Sequence, residues 1–343
     1  MRTSKSRGKI AHRRSFYTGE SFRWLMDHAR LRGDARLPAA TGDQAWLESE
    51  IFRRITNSGW WLAHPLGIAS VQIERDNSLT IHLDGCFRAV DTAYPFSLHV
   101  VHELLPHLGV DGEFWGVPGL RVNTVNGRDL VVSLVDSPAK VTLCSVPAAE
   151  LQGIPRNRWK HQIADLETML NHDGLPHFWN SPTRTAAERD FAVQAPLTSA
   201  CRRELAWLGS ALLRRAALLH TASTAYNTKN LLKGDTWHIE FFTRHGVPVD
   251  HDRLLKRLCD PALGLPIRVI DSSCACNLSK EHGTLCTFNL AGEGTERPAL
   301  RLAFSHHRYG DEELRMKLAD VGASENWLDR VLPKQPAPQP EAA

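Results

Sequence analysis

The chain has 343 residues, 42% hydrophobic and 23% charged, the balance of an ordinary globular protein. That composition excludes wholesale disorder, and no apolar run approaches the roughly 18 residues that span a bilayer. The net charge of +3 is unevenly held: residues 1–14 carry six cations and no acid, leaving −3 (+3 less +6) for the remainder.

In chain order, residues 1–16 are polar and basic without hydrophobic periodicity, and are expected to be a disordered arm. Thr18-Gly19-Glu20-Ser21 predicts a helix start, with Phe22, Leu25, Met26 and Ala29 at helical spacing. A second helix carries Trp46, Leu47, Ile51 and Ile55 on one face. The period then changes to two. Segments 67–74, 78–84, 119–125, 129–135 and 139–146 predict strands, separated by turn signals such as Asp76-Asn77 and Asn126-Gly127-Arg128. Residues 97–105 fit strand and helix equally well. Helices are expected at 156–171, at 185–193 and along 198–232, where Leu205, Leu208, Leu212 and Leu219 form a stripe and arginines fill the other face. Then follow strand 236–244, helix 250–259, strands 265–276, 284–291 and 299–307, and helix 311–331. No internal repeat is visible.

The expected fold is α+β: a largely antiparallel N-terminal sheet, central amphipathic helices, and a C-terminal β-α-β-β-β-α unit. The boundaries fall at 1–16 (arm), 17–148, 149–234, 235–332 and 333–343, the last a proline-rich disordered tail. Seven cysteines, an odd number without disulfide-framework spacing, point to a reducing compartment and hence the cytoplasm.

Two sets of residues carry chemistry. Arg2, Lys5, Arg7, Lys9, Arg13 and Arg14 can neutralise phosphates, giving salt-dependent, sequence-independent affinity for nucleic acid. Cys274, Cys276 and Cys286 lie on two runs that a turn at 279–283 would pair, placing Cys276 opposite Cys286 and Cys274 on the same face. Together with His282 or His306 they could give zinc its four nitrogen and sulfur ligands. The competing reading is that these thiols are core residues, because Phe288 and Leu290 share the face of Cys286.

Other clusters are weaker. His99, His102 and His107 lack the His-Glu-x-x-His spacing of a zinc protease. His161 and His172 are about 16 Å apart on a helix. Asp250 and Asp252 flank His251 ahead of an apolar helical run, and read as N-terminal capping groups. There is no phosphate-binding loop, dinucleotide fingerprint or serine-nucleophile elbow.

The stretch from Lys9 to Arg32, with Thr18-Gly19-x-x-Phe22, resembles an N-terminal segment of uncharacterised proteins of high-GC bacteria. The resemblance covers only that stretch and implies no activity. Sequence alone therefore favours a non-enzymatic protein that meets nucleic acid through its basic arm, with no cofactor and no membrane partner. The alternatives are a zinc-binding module or metal-dependent enzyme centred on Cys274, Cys276 and Cys286, and a protein-interaction scaffold.

Overall fold

The computed structural model describes residues 2–27, 37–55, 64–83, 96–108, 114–126, 129–144, 181–194, 202–222, 227–233, 235–243, 250–275, 285–306, 311–320 and 325–332. Its helices are α1 (Arg2–Thr18), α2 (Phe22–Asp27), α3 (Gly42–Arg54), α4 (Phe96–Leu104), α5 (Ala186–Gln194), α6 (Ala206–Leu213), α7 (His251–Leu258), α8 (Asp311–Asp320) and α9 (Glu325–Val331). The strands are β1 (Ile68–Ile73), β2 (Leu79–Leu83), β3 (His107–Leu108), β4 (Phe114–Trp115), β5 (Leu120–Asn126), β6 (Asp129–Leu134), β7 (Lys140–Cys144), β8 (Asn227–Lys233), β9 (Thr236–Thr243), β10 (Ile267–Ser273), β11 (Leu285–Gly292) and β12 (Pro298–His306). The expected helix at 156–171, the tail from 333, and His161 and His172 lie outside the described residues.

The fold is mixed α+β. The first sheet has the order β1-β2-β7-β6-β5 and the second β10-β11-β12-β9-β8, while β3 and β4 form a two-stranded ribbon. The two large sheets share one connectivity. In each, a hairpin (β1–β2, β8–β9) precedes a helix (α4, α7) and a three-stranded antiparallel meander (β5–β6–β7, β10–β11–β12). The last meander strand then runs parallel to the second hairpin strand, β7 on β2 and β12 on β9.

One hydrophobic cluster runs through both sheets and the helices between them. Helix α3 touches α6 and α4 as well as β7 of the first sheet and β8 of the second. Its approach to α6 depends on Gly209, where a Cβ would stand 2.4 Å from Ser49 Oγ and 2.6 Å from the Trp237 ring. The same interface buries an ion pair. Arg214 Nε and Nη2 donate to Glu48 Oε2 and Oε1 at 2.7 and 2.6 Å, and Ser210 Oγ donates to Oε2 at 2.6 Å. The remaining guanidinium protons go to Pro38 O, Asn77 Oδ1 and Asn77 O. Every lone pair and proton of a buried charge must find such a partner.

Two expectations are corrected here. The 198–232 segment is not one long helix with a solvated arginine face. It is α6, a 3-10 turn at Ala216–Ala222, and strand β8, which adds a strand to the expected C-terminal unit. Arg214 and Arg215 are buried because carboxylate and carbonyl oxygens receive them; Arg215 donates to Leu263 O and Gly264 O.

The basic arm is likewise not disordered, because Arg2–Thr18 is helical. Ala11, Arg14 and Thr18 recur at helical spacing and are buried, as is Tyr17, whose hydroxyl donates to Arg257 O. Arg14 donates twice to Glu20 at 2.9 and 3.1 Å, and Thr18 Oγ1 donates to the same carboxylate at 2.8 Å. Gly19 closes the helix at φ +75°, where a Cβ would meet Ala69 O at 2.8 Å. The Thr18-Gly19-Glu20 motif is thus a clasp that fastens α1 to β1.

The ambiguous 97–105 segment is helix α4, with Val100, Val101, Leu104 and Leu105 buried.

Candidate metal centre

Helix α7 starts where Asp250 accepts a hydrogen bond from Arg253 N at 3.1 Å, the capping role expected of it. Leu254 and Leu258 are buried, so the helix lies with that stripe on the core. His251, at the first helical position, is thereby turned toward the second sheet. Its ring stands 4.9 Å from Phe288 and 6.1 Å from Phe304.

The antiparallel register of β10 on β11 pairs Ser272 with Phe288 and Ser273 with Thr287. Continued by one residue, it sets Cys274 opposite Cys286. That corrects the expected pairing of Cys276 with Cys286, since the hairpin is shifted by two residues. A shift of two keeps the face, because side chains alternate with period two. Cys286 shares the buried face of β11 with Phe288 and Leu290, as expected.

The result is a cluster of three donors. His251 Nε2 lies 3.2 Å from Cys274 Sγ, and Cys274 Sγ lies 3.5 Å from Cys286 Sγ. All three atoms are within 4.8 Å of one another, a group that could hold a metal ion. Tetrahedral zinc with bonds of about 2.3 Å to sulfur and 2.0–2.1 Å to nitrogen requires ligand separations of roughly 3.5–3.8 Å. The two direct separations are at or just below that edge length. Burial is graded: Cys286 is buried, His251 half-buried and Cys274 exposed.

His251 Nδ1 is 3.1 Å from Asp252 Oδ1. A carboxylate at Nδ1 selects the tautomer with the proton there, which leaves the Nε2 lone pair facing the sulfurs. Asp252 therefore orients the imidazole while standing almost wholly in solvent. The Phe288 and Phe304 rings form an apolar floor beneath it.

Among the expected ligands, Cys274 and Cys286 come together. Cys276 and His282 lie outside the described residues, and His306 ends strand β12 with its side chain outside them. Sequence reading missed His251 as a candidate ligand. It sits 23 residues from Cys274, and only the packing of α7 on β11 unites them. Two other thiols lie elsewhere and are quiet: burial, then a hydrogen bond with Asp129, pushes Cys144 up to about 12, and burial raises Cys259. Of the histidines near 100, His99 and His102 lie on α4 with side chains outside the described residues, and His107, beyond the end of α4, is buried with Nδ1 2.9 Å from Leu105 O.

Of the cations expected to meet nucleic acid, Arg14 is buried against Glu20, and Arg13 pairs with Asp260 at 3.0 Å. Lys9 is exposed. Arg2, Lys5 and Arg7 lie on α1 with side chains outside the described residues. A cleft of about 820 Å³ borders the first sheet; in its lining Lys140 pairs with Asp76 at 2.8 Å and Glu74 accepts from Thr80 Oγ1 at 2.8 Å.

Comparison of the chain with family models, curated proteins and solved structures gave no match.

Proposed function

We propose that this is a zinc-binding protein whose metal ties the start of α7 to the β10–β11 hairpin through His251, Cys274 and Cys286. The observation that carries the reading is the convergence of one imidazole nitrogen and two sulfurs within 4.8 Å, from three separate elements. A two-sulfur, one-nitrogen set is soft, and such sets favour zinc over magnesium or calcium. A fourth donor completes the tetrahedron. Cys276, His282 and His306 are the candidates the sequence offers. Ligands drawn from three elements suit a cross-link that stabilises the fold, as structural zinc does.

The test is metal content of the full-length protein after dialysis against trace zinc. One equivalent is expected, falling below about 0.2 in Cys286→Ser and in His251→Ala. A stoichiometry unchanged in both variants would end the proposal, as would no retained zinc in the parent protein.

A second reading is kept by one feature of α1. Helical spacing puts positions 2, 5, 9 and 13 on the side opposite buried Ala11 and Thr18, and all four are basic. Such a face suits a phosphate backbone, with the mildly acidic remainder adding nothing at long range. Filter binding to duplex DNA and to RNA should weaken steeply with salt, and Lys5→Glu/Lys9→Glu should flatten the slope by about two counter-ions. A salt slope that the double variant leaves unchanged overturns this reading.

A further inference from the structure

The second sheet places two sulfurs face to face, one at the surface and one beneath it. We infer that Cys274 and Cys286 form a peroxide-responsive dithiol, closing to a disulfide that expels the metal. The dithiol part stands on the sulfur positions alone, and metal release rests on the zinc reading above.

Three observations carry it. The antiparallel register runs to Ser273 opposite Thr287, and one further step along it sets Cys274 opposite Cys286. Opposed residues have Cα atoms about 4.5–5.5 Å apart, inside the 4.4–6.8 Å that a disulfide spans. The sulfurs are already at 3.5 Å, so side-chain rotation alone closes the gap to about 2.05 Å. Finally, the burial differs as the two roles demand. Cys274 is exposed and meets an oxidant from solvent, whereas Cys286 is 2% exposed with its sulfur 3.5 Å from that of Cys274.

The chemistry balances with a hydroperoxide as oxidant. The Cys274 sulfur, as thiolate, attacks the outer oxygen of ROOH and the O–O bond breaks. The alkoxide leaves and takes a proton as ROH, while Cys274 becomes a sulfenic acid. The Cys286 thiolate then attacks that sulfur, the S–S bond forms, the S–O bond breaks, and hydroxide leaves and is protonated to water. Two thiols and one hydroperoxide give one disulfide, one alcohol and one water. Two lone pairs that would have bound the metal as thiolates are lost to it, because a disulfide is not a thiolate ligand.

The test uses full-length protein loaded with zinc, treated with hydrogen peroxide at one equivalent, then alkylated and digested with trypsin. Cleavage after Lys280 separates residues 269–280, which hold Cys274 and Cys276, from 281–301, which hold Cys286. A disulfide joining these peptides through Cys274 is expected. It should persist in Cys276→Ser and disappear in Cys274→Ser, with one zinc released to a chromogenic chelator per link formed. A link confined to Cys274 and Cys276 overturns the inference. So does over-oxidation of Cys274 while Cys286 stays a thiol, even where the protein still binds zinc, and the zinc reading then stands. A Cys274–Cys286 link in protein that never bound zinc upholds the dithiol and removes the zinc reading instead.

Discussion

Arg214 shows how a single side chain can govern what its surroundings become. A guanidinium with no exposed surface is tolerated only because Glu48 takes two of its bonds and Pro38 and Asn77 take the rest. Removing one partner leaves a buried charge uncompensated, which costs about 3–5 kcal/mol. Arg214→Leu should therefore lose roughly that much stability in urea unfolding, and Glu48→Leu/Arg214→Leu should recover part of it. A loss under about 1 kcal/mol in the single variant would mean that the pair is not what joins α3 to α6. His251 makes the complementary point. Its chemistry is set by neighbours far off in sequence, the Cys274 sulfur on one nitrogen and the Phe288 ring on its flank. Asp250 and Asp252 are legible as helix-start residues, and Asp250 does cap. Nothing in the local pattern says that the histidine between them faces a thiol.

At the level of elements, alternation was legible wherever a strand has one buried face. β6 reads as buried and half-buried residues in strict turn, and its pairing of Asn126 with Asp129 agrees with the Asn-Gly turn signal. Two elements hid behind composition. In α1 the charges mask a narrow stripe of Ala11, Arg14 and Thr18, two of them polar, which no hydrophobicity count picks out. In β8 the sequence Asn-Thr-Lys-Asn-Leu-Leu-Lys carries no alternation, and its strand state comes from pairing along β9. Helix α5 was legible but its purpose was not. Thr185 and Glu188 form a reciprocal capping box, and the Glu188 carboxylate also accepts from Gly119 N and from Arg121 at 2.8 and 2.9 Å. Burial pulls this carboxyl up, but the Arg121, Thr185 and Gly119 donors outweigh it and hold it below its ordinary value near 4.5. A carboxyl depressed in the folded state adds stability above that ordinary value and loses it as pH falls toward the folded one. Glu188→Gln should therefore flatten the decline of Tm below about pH 4.5. Glu20 is shifted the other way, raised by burial against the pull of Arg14, so the comparison must be between variants. Parallel Tm curves for parent and variant from pH 6 to 3 would contradict the role given to Glu188.

Over the whole molecule, two five-stranded sheets of the same connectivity share one continuous core. No sequence repeat announces this, because connectivity is fixed by which strands pair, and β2 with β7 or β9 with β12 are distant in the chain. The hydrophobic alternation that each strand needs can be met by many sequences. The position of α7 in the second half matches that of α4 in the first, each between hairpin and meander. It is this packing of the connecting helix on the meander that turns a capped helix start and two cysteines into a three-donor centre. X-ray absorption at the zinc edge of the loaded full-length protein tests that centre most directly. At least two sulfurs at about 2.3 Å and a nitrogen at about 2.0–2.1 Å are expected. A first shell of nitrogen and oxygen alone would show that zinc sits elsewhere and that His251, Cys274 and Cys286 are not its ligands.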